Sequence, residues 1–524
     1  MATITYTNGY TFVSGDINYT TKLVAIASGD VWYESVSGTM VALSAANNTL
    51  VASNANISAT PAYSKVFIVD GTSKYVVDFT NTMLTVPAMT TAPTRGSTLT
   101  QATSGATMIV DFVNTAKTAI YGFLTAGTFT ATYAVTGGGM TSSTPSVVTA
   151  PTTPHYYAWT VYPTIGSTTY GTIPELPNLM CMYLGRLVLN NLKNPNVWYM
   201  SRQANPYDWL YGVNDQQSAV AGTDNVLGFI GDIPTCFIPY SDDYMIVGCA
   251  HKIEVFRGDP CKGGSLDTFY TADGIFGPKS FCFDGYGTLY FAGTAGIYKL
   301  ARDSTIPEPL TNTRIPKILD GIDRDTHRIT MGFDRQRHGI TISILNIALD
   351  TSVNYWYDLR TDGIFPETYN VGISAQEFYD SNTAAYSKLV IGSTDGYLRY
   401  FKDDSYSDQS AGDINVAIDS HVVYGPLVIA EGSSVKESIL NNTSIVLGAS
   451  STKVNYDIYV NNSAEALVDD LSNAGLANGT FTSGGRQNDI RSRARGKVMA
   501  IKIGNSTAEK TFAVERIDID VITQ

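Results

Sequence analysis

KLVIGSTDGYLRYFKDD, residues 388–404, runs from an apolar stretch through a Gly-Ser-Thr-Asp-Gly turn into an aromatic-rich stretch carrying Arg399, and then into acid. Two strand-like runs around a Gly, Asn or Asp turn are the sequence signal of a β-hairpin. Whether this one stands alone or is a repeated unit decides the fold. The pattern recurs at Lys22 (KLVAIASGDVWYES), Lys65 (KVFIVDGTSKYVVDF), Arg186 (RLVLNNLKNPNVWYMS), Asp243 (DYMIVGCAHKIEVFRGD) and Thr288 (TLYFAGTAGIYKLARD), and more loosely at Gly339 (GITISILNIALDTSVNYWYDLRTDG). The seven starts are 43, 121, 57, 45, 51 and 49 residues apart. With the 121 set aside they average 49, and a propeller blade of four strands takes about 40–50 residues. The reading is an all-β chain built on a β-propeller of about seven blades, with six to eight open. Unrelated hairpins in β-sandwiches are the competing fold.

The long gap exceeds the average by 72 residues, the size of a small inserted β-domain. Residues 88–152 fit it: they are rich in Thr and Ala, nearly free of charge, and bracketed by Pro87, Pro93, Pro145, Pro151 and Pro154. Residues 1–87 then hold the first blades and 153–410 the rest. Beyond 410 the hairpin period stops, and HVVYGPLVIA, NTSIVLGA, KVNYDIYV, KVMAIKIGN and FAVERIDIDVI alternate as half-buried strands do. Residues 411–524 read as a β-sandwich-like region, or as strands that close the propeller. One short helix is expected at Ser463–Leu471, with Ser463 as N-cap and Gly475 as the stop.

Composition agrees with strands and turns: among 524 residues, 44% are hydrophobic and only 15% charged, with 33 Tyr, 20 Phe and 46 Gly. A net charge of −13 argues against a surface built to neutralise phosphates. The N-terminal stretch MATITYTNGYTF has no signal-peptide pattern, and no apolar stretch approaches the roughly 18 residues of a membrane span. A soluble protein made in a cytoplasm is expected. Five cysteines without a CxxC pair read as reduced and buried; Cys249, His251 and Cys261 lie close together but lack a fourth metal ligand at a recognisable spacing.

No P-loop, GxSxG, HExxH or GxGxxG is present, and no cofactor is expected. Asp242, Asp243, Asp273, Asp284, Asp362, Asp395, Asp403 and Asp404 cluster in turns, where aspartate bonds its own backbone. A glycosidase pair would need two carboxylates about 5–10 Å apart, which spacing along the chain does not reveal. Basic residues concentrate in GGRQNDIRSRARGK (Arg486, Arg491, Arg493, Arg495, Lys497) and in DRDTHRITMGFDRQRH (Arg324, Arg328, Arg335, Arg337). The first group is the candidate contact with a partner, either a nucleic-acid backbone or an acidic neighbouring subunit; a solvated loop explains it as well. Trp198, Tyr207 and Trp209 either form an exposed interface or pack between blades.

NVWYMSRQANPYDW (196–209), IPYSDDYMIVGCAHKIEVFRGDP (238–260) and GIFGPKSFCFDGYGTLYFAGTAGIYKL (274–300) resemble the propeller proteins of tailed-phage virions, especially the nozzle or hub closing the tail of short-tailed phages. GSTLTQATSGATMIV in the insertion and the terminal RSRARGKVMAIKIGN and FAVERIDIDV are similar to segments of that group. The resemblance implies a non-enzymatic structural protein of the virion tail, assembled in the host cytoplasm. It implies a homo-hexameric ring around a channel for genome ejection, docked to portal or adaptor and to needle or fibre proteins, with double-stranded DNA in transit and no membrane span. An acidic lumen would let DNA pass without adhesion. The alternative is a phage receptor-binding propeller that binds or cleaves glycans.

Overall fold

A computed structural model describes residues 1–6, 20–43, 56–149, 154–213, 215–302, 304–402, 404–411, 414–430 and 437–523. The chain forms two compact units. Met1–Thr351, Tyr355–Phe365 and Ile373–Phe401 make the first; Ser352–Asn354, Pro366–Gly372 and Lys402–Gln524 make the second.

The first unit is a propeller. Seven antiparallel sheets follow one another along the chain, six of four strands and the last of three. Each repeated hairpin of the sequence is the second and third strand of one blade: Thr20–Ala27 with Asp30–Val36 in blade 1, Lys65–Val69 with Lys74–Asp78 in blade 2, and so on to Lys388–Ser393 with Leu398–Tyr400 in blade 7. Where both faces of a blade are covered, its middle strands are apolar on both sides. Lys65–Val69 and Leu289–Ala292 are buried throughout, as sheets packed on both faces require.

Neighbouring blades share cores. Val24 and Val31 of blade 1 pack with Val66, Ile68 and Val77 of blade 2, and Cys236, Ile246 and Ile253 of blade 4 with Leu289, Phe291 and Leu300 of blade 5. The innermost strand of blade 7, Ile373–Tyr379, lies beside that of blade 1, Ala2–Tyr6. No described strand crosses from one end of the chain into the blade of the other, so side chains seal the ring. Leu23 packs with Tyr379 and Val390. The Tyr379 hydroxyl donates to the Thr21 carbonyl (3.2 Å) and to the buried carboxylate of Glu34, and Asn382 Oδ1 accepts from Thr21 N (2.7 Å).

Between the third and fourth strands of blade 2 the chain makes a separate six-stranded sheet, whose strands run from Thr82–Thr85 to Val147–Thr149, before His155–Ala158 completes the blade. This sheet has its own core around Leu84, Leu99, Met108, Val110 and Ile120. Its first strand lies before Pro87, ahead of the bracket drawn at residue 88: proline ends that strand rather than opening the module. Gln101 is buried and pins the loop below it, donating to Thr130 O (2.9 Å) and Tyr133 O (2.6 Å) and accepting from Thr130 N (2.9 Å).

The second unit is a two-sheet sandwich. One sheet has the order Ser420–Val428, Val498–Asn505, Val454–Asn461, Ala477–Phe481. In the other, Ser438–Leu447 is flanked on one side by Gly485–Ile490 and Ala494–Gly496 and on the other by Val514–Thr523. Leu440, Ile445, Ile458, Ile490, Met499 and Ile501 fill the space between. The helix Ala464–Asp470 is capped by Ser463 Oγ, which accepts from Ala466 N, and buries Leu467. It stops before Gly475, whose N–H is taken by Asp457 (2.9 Å). The units divide at Phe401 and Lys402 rather than at residue 410, because Ser407–Gln409 pairs with Asn415–Ala417 and not with blade 7.

Candidate functional site

Three places concentrate polar chemistry: a buried clamp under the inserted sheet, a cavity on the propeller axis, and the basic segment of the second unit.

The clamp begins in a hairpin. Lys65 and Asp78 face each other across the central strands of blade 2, and their side chains meet at 2.7 Å. The third member comes from the inserted sheet. A register shift between Val110 and Phe112 leaves Asp111 without a cross-strand partner, and such a bulge re-aims a side chain. Asp111 Oδ2 thereby accepts from Lys65 Nζ at 2.5 Å. The three side chains are 8, 0 and 4% exposed, so they bind each other and offer a substrate no approach.

Aromatic hydroxyls complete the set. Lys65 also donates to Tyr207 (3.2 Å), Tyr157 donates to Asp78 (3.3 Å) and Tyr162 to Asp111 (3.3 Å). Arg95 donates to the Asp111 carbonyl (2.5 Å) and lies over the Tyr162 and Tyr207 rings. Phe112 stacks on Tyr157 at 4.9 Å, and Trp159 and Trp209 both donate to the Pro206 carbonyl (3.0 and 2.9 Å). Burial works against the Lys65 charge, but Asp111 and Asp78 outweigh it and raise the ammonium well above its ordinary range. Burial likewise pushes the Tyr157 and Tyr207 hydroxyls up. Nothing local in the sequence marks this cluster, since Lys65 and Asp111 are brought together only by the inserted fold.

The axial cavity, about 510 Å³, is lined by every blade, from Ala59 in blade 2 and Leu179 in blade 3 through Thr235 and Phe276 to Thr330 and Ala375. Among the described residues its charged side chains are Lys279, Arg324, Arg328 and one carboxylate, Asp325. The acid excess of the chain is therefore not expressed in the described lining of this cavity. Arg324 is a fastener: it donates to Phe276 O (3.0 Å) and Ala250 O (3.0 Å), tying blade 4 to the start of blade 5. Arg335 lies over Phe378 at 4.4 Å and Arg337 over Trp356 at 4.0 Å. Arg337 also lies over Phe401 at 4.5 Å, so Arg324, Arg335 and Arg337 serve the propeller's own packing instead of forming a gripping patch, because guanidinium planes stack on aromatic rings.

Arg486, Arg491, Arg493 and Arg495 are exposed along one rim of the sandwich, while Lys497 is partly buried at the start of the next strand. Arg495 pairs with Glu437 at 2.6 Å, and Arg486 reaches Ser444 at 3.5 Å. Arg491 and Arg493 have no hydrogen-bonding or ionic partner among the described residues.

The remaining candidates are placed plainly. Trp198 and Trp209 are fully buried and Tyr207 nearly so; Trp198 packs on Phe256 of blade 4 and donates to Gly228 O (2.9 Å), which excludes the exposed interface. Asp273 accepts from Gly274, Thr294 and Ala295 backbone N–H groups, and Asp284 from those of Tyr286 and Thr288. Asp395 holds Arg399 with both oxygens (2.8 and 2.7 Å), which lowers its carboxyl to about 2. Asp403 lies outside the described residues. Cys249 is buried in blade 4, whereas His251 is exposed and bonds Asp232. Burial pushes Cys236 to about 12 and raises Cys181, Cys249 and Cys282 further, so these thiols stay protonated. No described helix is long and apolar enough to cross a membrane.

No protein-family model matches the chain, and no curated protein matches it. Among solved structures it is similar to Hsv2 of Kluyveromyces lactis, with 9% identity over 60% of this chain and 97% of that one and a TM-score of 0.24. The extracellular domain of the putative one-component system BT4673 of B. thetaiotaomicron matches at 10% identity over 96% and 68%, TM-score 0.31. The β-propeller domain of the Trilobed protease of Pyrococcus furiosus matches at 10% over 67% and 98%, TM-score 0.23. At these scores the likenesses carry no weight, and the fold rests on the sheets themselves.

Proposed function

We propose that the protein is a structural component of a phage tail, a nozzle or hub whose copies form a ring around the channel for genome ejection and dock neighbouring tail proteins. The observation that supports it is the clamp. Lys65, Asp78 and Asp111 weld an inserted sheet to a blade, so the propeller serves as a rigid platform presenting an added module. Function on such a platform lies in interfaces. The three longest segments that resemble the virion propellers fall in blades 3 to 5, including the buried Tyr207 and Trp209 that brace the clamp and Trp198 in the core between blades 3 and 4.

In this reading the DNA channel runs between copies. The axial cavity of about 510 Å³ is the size of a small-molecule site, too small for a duplex whose major groove alone is about 12 Å wide. Negative-stain microscopy and native mass spectrometry of the purified chain test the proposal. Six-membered rings with a central pore are expected. A chain that stays monomeric both alone and with purified tail components overturns it, and release of sugar from host polysaccharide would favour the glycan-cleaving alternative.

A further inference from the structure

The outer sheet of the sandwich has two open rims of opposite charge. Among the described strands, Val514–Thr523 pairs only with Ser438–Leu447, and Gly485–Ile490 and Ala494–Gly496 pair only with the other side of that same strand. Among the described residues each rim presents backbone groups with no strand partner, and such groups template the addition of another strand. The first rim carries Glu515, Asp518 and Asp520 against Arg516 alone, and exposes Ile519 and Ile522. Its neutralisation is only partial: Arg516 holds Asp518 at 2.7 Å, and Asn441 holds Asp520 at 2.7 Å. The second rim carries Arg486, Arg491, Arg493 and Arg495 against Asp489 alone, and of these arginines only Arg495 has an ionic partner among the described residues.

We propose that these rims are the two halves of one interface, and that the occupant of each is a second copy of this chain. Two rims of one sheet point away from each other, about two strand spacings of 4.8 Å apart, so their charges cannot meet within the molecule. Between copies they meet head to tail: the acidic rim of one copy extends the sheet along the basic rim of the next. Like rims repel, which disfavours a two-fold pairing. A heterologous contact of this kind closes into a ring when the rotation allows. The inference rests on the ring reading for that closure, not for the contact itself.

The test is an exchange of charge. R491E/R493E makes both rims acidic, and D518R/D520R makes both basic. Sedimentation velocity in low salt should show the wild-type chain assembling and each variant alone losing assembly. Mixed in equal amounts, the two variants should co-assemble, and the fourfold variant carrying both exchanges should assemble with itself. Unchanged thermal melting confirms that the variants fold; if one does not, R491Q/R493Q and D518N/D520N should weaken assembly and flatten its salt dependence. Wild-type assembly that survives either exchange, or variants that stay apart when mixed, overturns the interface. Rings that persist despite the exchange would leave the nozzle reading standing without this contact. Co-assembly into open filaments would keep the contact and remove the nozzle reading.

Discussion

The inserted sheet and the C-terminal sandwich are both added to a ring of blades, and both use charge, but in opposite ways. The insertion brings Asp111 to Lys65, which also pairs with Asp78, in a buried site, and the insertion's sequence is nearly free of charge. The sandwich has an apolar core around Ile445, Ile458 and Ile501, with no charged side chain buried among the described residues, and carries exposed charges on its open strand rims. Burial decides what a charge does. A buried pair enforces one geometry, because either partner left alone is costly, whereas exposed charges contribute little stability and govern which surface meets which.

The largest effect that would break this contrast is at the clamp. Lys65→Met leaves two buried carboxylates facing no cation and should cost about 3–5 kcal/mol, read from the denaturant midpoint. Lys65→Met with Asp111→Leu should cost less than Lys65→Met alone, since Asp78 keeps bonds from the Thr80 and Asn81 N–H groups (both 2.8 Å). If the double variant is the less stable of the two, the clamp is not a coupled unit.

The pH dependence follows from the same groups. The folded pKa values of the buried thiols, Tyr157, Tyr207 and Lys65 are all raised. Each group's stabilising contribution is therefore fully present below its unfolded pKa and is lost as pH rises. Unfolded values near 8.5 for Cys and 10 for Tyr and Lys set the windows. Stability should fall from about pH 8.5 as the four thiols weigh in, then more steeply above about pH 10. Lys65→Met should reduce the second fall and leave the first. Midpoints that rise between these two values would contradict the assignment.

Ring closure comes next in size. Tyr379→Phe removes the hydroxyl that reaches Glu34 and Thr21 across the seam between blades 7 and 1. Among the described residues the buried Glu34 then keeps only the Gly38 N–H (2.8 Å), and the loss should be about 1–3 kcal/mol. Hydrogen exchange should then quicken first in Thr20–Ala27 and Ile373–Tyr379; uniform quickening would mean that the seam is no weaker than the other blade contacts.

What could be seen in the sequence was what is local. A hairpin carries its turn and its alternation within about fifteen residues, and those pairs turned out to be the two middle strands of every blade. Inner and outer strands such as Met180–Tyr183 or Glu308–Pro309 are short, and their pairing depends on the blade already formed. The clamp was invisible for a sharper reason: Asp111 matters because of a bulge, and Lys65 was read as the first residue of a strand. Arg324, Arg335 and Arg337 are close in sequence, yet Arg324 ties blade 4 to blade 5 while Arg335 and Arg337 pack on aromatics where blade 6 meets blade 7. Arg491 and Arg493 are exposed, and an acidic rim lies on the other side of their own sheet, which only the fold reveals.

The smallest change in stability is expected where the largest change in association is proposed. Arg491→Ala with Arg493→Ala removes two exposed guanidinium groups that touch no described partner, so unfolding should shift by no more than about 0.5 kcal/mol. The same substitutions leave an acidic rim facing a neighbour with half its cations gone, and assembly in low salt should weaken while the melting point holds. At high salt, wild type and variant should converge, because screening over a Debye length of about 3 Å at 1 M removes what distinguished them. A variant that loses stability and association together would place these arginines with the clamp, as part of the fold; one that loses only association places them at the interface.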